Sequence, residues 1–149
     1  MRRVKTAKIR KPDVVPTLSL ADLKVLLAED HLTNQRVVSI ILEPQGVDLT
    51  IVDNGAKAVE AFINGAFDLV LMDLQMPVMD GLEAIRRIRE FEQLQGREPT
   101  LITVLSANVA AEHQRLGAES GADGHIGKPF TPSSLVGAIM DLLARRGDQ

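Results

Sequence analysis

Short, almost unbroken apolar runs alternate along this chain with longer segments whose apolar residues recur every three or four positions. The runs KVLLA, VDLTIV, FDLVLM, LITVL and GHI predict strands over 24–28, 47–52, 67–72, 101–105 and 124–126. The periodic segments predict helices over 33–42, 56–63, 82–91, 109–120 and 132–144. Pro44 and Gly46 stop the first helix, and Asn64-Gly65 closes the second. Asp80 is placed to cap the third, with Arg86, Arg87 and Arg89 facing water. Thr131 and Pro132 make a natural start for the fifth. Pro12 and Pro16 punctuate residues 1–20, which read as an arm or linker; residues 21–145 form one domain and 146–149 a tail.

Five strand–helix units in strict alternation predict a doubly wound α/β sandwich around a parallel sheet. Near-continuous apolar strands agree, because such a sheet is covered on both faces. Ligands and chemistry gather beyond the carboxyl ends of such strands. Those ends carry Glu29 and Asp30 after the first strand, Asp73 after the third, Ser106 after the fourth and Lys128 after the fifth.

Composition narrows the choice. The 149 residues suit one domain with a real core. There is no Cys, so neither a disulfide framework nor a thiolate metal site is available. Aromatics are 3%, with no Trp or Tyr, which removes the stacking platforms of single-stranded nucleic-acid binders. No run approaches a membrane span and no signal peptide precedes the domain, so a cytoplasmic location is expected, without nucleic-acid or membrane contact by the domain. Six of the 17 basic residues fall within 1–11, which hold no acid; the remainder has eleven against 20 acidic, a net of −9. The basic arm is read as a solvated linker.

The strand ends supply the chemistry. Three carboxylates brought together raise one another's pKa unless a cation intervenes. Oxygen donors without thiolates suit a hard divalent ion such as Mg²⁺, which also accepts phosphate oxygens. An Asp beside such an ion can attack a phosphoryl group and form an acyl phosphate. Taken singly, each residue has a plainer explanation: Asp30 as a helix cap, Lys128 as a surface charge, Asp73 as its partner. Met72, Met76 and Met79 read as packing and turn residues, and His31 and His113 as solvated surface residues.

The pieces "ED", "MDLQMPVMDG", "LSA" and "GKPF" fall in order at strand ends, and the chain over about 22–144 resembles the receiver domain of two-component response regulators. The resemblance implies a flavodoxin-like (βα)5 fold with strand order 2-1-3-4-5. It implies that Asp73 is the phosphoacceptor and that Asp30, Asp73 and the Gln75 backbone carbonyl hold Mg²⁺, with Glu29 acting through water. It also implies that Ser106 and Lys128 contact the phosphoryl group and that the Lys128–Pro129 bond is cis. Gln75 and Asn108 stand where the family tunes acyl-phosphate lifetime. The family's aromatic switch position is here His125, equally readable as a packing imidazole. The domain is then no enzyme with a separate substrate; it catalyses only its own phosphorylation and hydrolysis.

The implied partners are a histidine kinase or a histidine-phosphotransfer domain. "EDHLTNQRVV" resembles receivers at the C-terminus of hybrid sensor kinases, which is favoured over a stand-alone regulator. An aspartyl-phosphate hydrolase of the haloacid dehalogenase type needs a second Asp where this chain has Gln75. A flavodoxin needs a hydroxyl-rich phosphate loop where this chain has "AEDH". A phosphorylation-independent interaction module would not need the acidic set. The first helix carries two adjacent apolar stripes, Val37, Ile40 and Pro44 beside Asn34, Val38, Ile41 and Gln45, so one is expected to stay exposed as a docking face.

Overall fold

The structure, a computed structural model, describes residues 19–107 and 111–147. The basic arm through residue 18, Asn108, the predicted helix start at Val109 and residues 148–149 lie outside the described residues, as does the side chain of His113. The strands are β1 (Lys24–Ala28), β2 (Asp48–Val52), β3 (Leu69–Asp73), β4 (Leu101–Ser106) and β5 (Gly124–Gly127). The helices are α1 (Leu32–Leu42), α2 (Gly55–Asn64), α3 (Gly81–Gln95), α4 (Ala111–Ser120) and α5 (Pro132–Gly147), with a 3-10 turn at Glu43–Gln45. All strand pairs are parallel and the order is β2-β1-β3-β4-β5, as expected.

The period of two along each strand sorts side chains into two cores. Val25, Leu27, Leu69 and Leu71 face α1 and α5, where they meet Val38, Leu42, Leu135 and Ile139. Leu26, Ala28, Val70 and Met72 face the other way, onto Ala58, Phe62, Ile85 and Ile88 of α2 and α3. β3 is buried along its whole length, which explains its unbroken apolar run. β3 begins two residues later than the apolar pattern suggests, because Asp68 turns back to β1: its Oδ2 accepts from the Lys24 amide at 2.9 Å.

Caps set the helix starts that border the site. Asp80 Oδ1 accepts from the Glu83 amide at 2.9 Å and caps α3, an interaction worth about 1 kcal/mol. Thr131 Oγ1 accepts from the Ser134 amide at 3.1 Å and does the same for α5. α3 runs past the predicted end at Phe91, through Gln95, to Gly96 in the left-handed region at φ 66°. Arg89 does not face water as expected. Its side chain is 17% exposed and donates to Glu92 Oε1 and the Thr100 carbonyl, both at 2.7 Å, to the Gly121 carbonyl at 2.9 Å and to Asp123 Oδ2 at 2.8 Å. Buried Glu92 in turn accepts from the Thr100 amide at 2.7 Å. Arg89 is drawn largely out of solvent because the guanidinium fork finds an acceptor in each direction.

Candidate phosphoacceptor site

The carboxyl ends of β1, β3 and β4 border a cleft of about 580 Å³, lined by Asp30, Gln75, Ser106, Leu82 and Leu116 among others. Asp73 is the last residue of β3 and Ser106 the last of β4; both are buried. Lys128 follows β5, where its amide donates to the Ser106 carbonyl at 2.8 Å, and the Lys128–Pro129 peptide is cis. Register pairing sets Asp73 against Leu105 and Ser106 against Gly127, so the sheet itself aligns these groups.

Lys128 Nζ bridges two buried carboxylates, 2.8 Å from Glu29 Oε1 and 3.5 Å from Asp73 Oδ2. Burial pushes the Glu29 carboxyl up, but the hydrogen bonds from Lys128 and the His31 amide, the Lys128 charge and Asn34 together hold it below its usual range. Glu29 is therefore an anion at neutral pH. Asp73 goes the other way. Burial and then the Glu29 charge push it up to about 6, against the opposing pull of Lys128 and the Gln75 amide. One lysine cannot compensate two buried carboxylates, and the cleft is short of positive charge.

The donor set fits a divalent cation. Oxygens of Glu29, Asp30 and Asp73 and the ring nitrogen of His31 all lie within 4.8 Å of one another. Asp30 Oδ1 is buried and accepts no hydrogen bond, although His31 Nδ1 lies 3.1 Å away. A buried carboxylate oxygen left in that state is costly, and a cation resolves it. Both Glu29 oxygens are already engaged, Oε1 by Lys128 and Oε2 by the His31 amide at 3.0 Å and Asn34 Nδ2 at 3.4 Å.

Local backbone holds this arrangement. A Cβ on Gly81 would stand 2.2 Å from the Asp73 carbonyl oxygen, so only glycine lets α3 start this close to the β3 end. Val78, in the loop between them, sits in the left-handed region at φ 69°, a strained position for a β-branched residue. Two contributors were not singled out from the sequence as site residues. Gln35 Nε2 donates to the Glu29 carbonyl at 2.7 Å, and Asn34 reaches the Glu29 carboxylate. Their signal is positional: amides one turn into the helix that follows an acidic strand end. His31, expected to be a solvated loop residue, is 70% exposed yet leans on Asp30. His125 lies on β5 opposite Val104, half-buried and one register position before the level of Asp73.

The structure shows which stripe of α1 is exposed. Val38, Ile41 and Leu42 pack into the core, while Ile40 is 72% exposed and Leu32 and Val37 are also open to solvent. The exposed stripe begins at Leu32, two residues past Asp30. Among the described residues no helix is long and apolar enough to cross a membrane.

The family model for the response regulator receiver domain matches residues 25–140. The sensor protein GacS of Pseudomonas syringae pv. syringae is 35% identical over 130 residues, 87% of this chain and 14% of GacS, so this chain spans only a small part of that relative. Among solved structures, the Saccharomyces cerevisiae Ssk1 receiver domain, crystallised with the histidine phosphotransfer protein Ypd1, superposes with a TM-score of 0.79 at 29% identity, over 84% of this chain and 91% of that one. The receiver domain of the sensor histidine kinase PA1611 of Pseudomonas aeruginosa, with magnesium coordinated in its active site cleft, gives 0.73 at 29% identity over 83% and 99%. Fold, strand-end chemistry and relatives agree that this chain belongs to the response regulator receiver domain family.

Proposed function

We propose that Asp73 accepts a phosphoryl group from a histidine of a sensor kinase or phosphotransfer domain, in the cytoplasm. The observation that carries this reading is the buried pair of carboxylates, Glu29 and Asp73, bridged by the single Lys128 ammonium beside an unsatisfied Asp30 oxygen. That is a site short of one cation and open to a phosphoryl oxygen. A carboxylate oxygen of Asp73 attacks phosphorus, the P–N bond breaks with its electron pair left on nitrogen, and the protonated ring departs as imidazole. Lys128, 3.5 Å from Asp73, would contact one phosphoryl oxygen, and the Ser106 hydroxyl, at the neighbouring strand end, another. Mg²⁺ held by Asp30, Asp73 and the Gln75 carbonyl, with Glu29 acting through water, would supply charge neutralisation for the transfer. The domain turns over no separate substrate, and His125 occupies the position from which the family relays the modified state.

The hybrid-kinase origin is supported by GacS and PA1611, both sensor proteins by name and the first far longer than this chain. The exposed α1 stripe of Leu32, Val37 and Ile40 is the docking face for a helical phosphotransfer domain, supported by the Ssk1–Ypd1 relative. A phosphorylated partner of this type should transfer its group to Asp73. Ile40→Glu should slow that transfer while labelling by a small donor stays intact. Transfer undiminished in Ile40→Glu would move the docking face elsewhere, and no transfer to Asp73 from any phosphohistidine donor would refute the phosphoacceptor reading.

A further inference from the structure

His31 departs from its surroundings in three ways. It is the N-cap residue of α1, yet its side chain makes no capping hydrogen bond. Its backbone amide is instead anchored to Glu29 Oε2 at 3.0 Å, which swings the ring over the acidic pair. There Nδ1 stands 3.1 Å from Asp30 Oδ1 and 3.5 Å from Glu29 Oε2. The Asp30 oxygen takes no hydrogen bond from it. The two atoms are therefore a close polar pair without a hydrogen bond between them. Two donors bound at about 2.1 Å to one ion and set at right angles stand about 3 Å apart, which is the spacing found here.

Imidazole nitrogen changes what such a site prefers. Mg²⁺ takes oxygen donors and retains waters, whereas imidazole suits first-row transition ions, whose affinity rises along the series towards copper. We propose that His31 Nδ1 is a further protein donor at this cleft, raising its preference for ions that accept nitrogen, such as Co²⁺, Ni²⁺ or Zn²⁺, over Mg²⁺. The inference rests on the receiver reading for the position of the ion, and adds a ligand and a selectivity to it. The ring is 70% exposed, and its removal leaves the amide anchor to Glu29 in place, so the loop geometry survives substitution.

The test is calorimetric titration of the metal-free full chain with Co²⁺ and separately with Mg²⁺, for the native protein, His31→Ala, His31→Asn and Asp30→Asn. Thermal melts check that each variant is folded. The ratio of Co²⁺ to Mg²⁺ affinity should fall about tenfold or more in both His31 variants, as loss of a metal-orienting group commonly does. The proton NMR spectrum of the native Co²⁺ complex should show a strongly shifted imidazole signal that His31→Ala abolishes. A ratio unchanged by both His31 substitutions overturns the proposal. So does a ratio that responds to His31→Ala while Co²⁺ affinity ignores Asp30→Asn, because the ion then sits outside the cleft. The two readings fail separately: absence of Mg²⁺-dependent labelling of Asp73 would count against the phosphoacceptor, and an unchanged ratio counts only against His31.

Discussion

Asp73→Asn should make the metal-free protein more stable at neutral pH, although it removes the residue on which function is proposed to depend. The reason is the charge Asp73 carries in a buried place beside Glu29. Between its ordinary 3.8 and about 6, the folded chain keeps a proton that the unfolded chain has released. Native stability therefore falls as pH rises through that window, and above it the ionised carboxylate costs the fold up to about 3 kcal/mol. Asparagine has no such ionisation; it forfeits a long ion pair to Lys128 at 3.5 Å, while its carbonyl oxygen can still accept from the Gln75 amide. Lys128 keeps its 2.8 Å partner in Glu29. Urea titrations of native and variant protein in chelator should show a gain of about 1–3 kcal/mol at pH 7.5, shrinking towards zero near pH 4. Mg²⁺ should narrow the gap, since it binds the native fold and offsets the same charge. A variant less stable than native at pH 7.5, or a gain that ignores pH, would refute the electrostatic account of the site.

Three further outcomes follow from the same geometry. Lys128→Met leaves Glu29 and Asp73 facing each other uncompensated, and should lower stability by about 3 kcal/mol in urea titration while abolishing phosphoryl transfer. Asp30→Ala should weaken Mg²⁺ binding, measured by calorimetry, more than Glu29→Ala does, because the Glu29 oxygens are already engaged and an Asp30 oxygen is not. Arg89→Met strands buried Glu92 without its partner, and should cost about 3–5 kcal/mol in thermal or urea unfolding, with Asp73 chemistry intact.

What the sequence made legible was set by period and by chain order. The apolar runs of β1, β3 and β4 name those strands because they are buried inside the sheet, whereas the edge strands β2 and β5 are only partly covered; the strand ends name the cleft because a parallel sheet exposes its chemistry at one edge. What stayed hidden depends on partners remote in sequence. Arg89 looks solvated because its acceptors, Thr100, Gly121 and Asp123, arrive from later elements. α3 outruns its apolar pattern because Glu92, a charged residue, takes a buried position on that network. His31 looks like a loop residue because nothing in "EDHL" shows that its amide is bound by the side chain two residues earlier. The two stripes of α1 are visible in the sequence, but which one packs inward depends on its contacts with β1 and α5, where Val38 and Leu42 enter the core.

The central claim is that Asp73, in a cation-dependent cleft, is the residue that accepts phosphate. Intact-mass analysis after incubation with acetyl phosphate tests it most directly. With Mg²⁺ the native chain should gain a single phosphoryl group, localised to Asp73, and neither the chelator-treated protein nor Asp73→Asn should gain it. Equal labelling of Asp73→Asn, or labelling indifferent to chelator, would contradict the account.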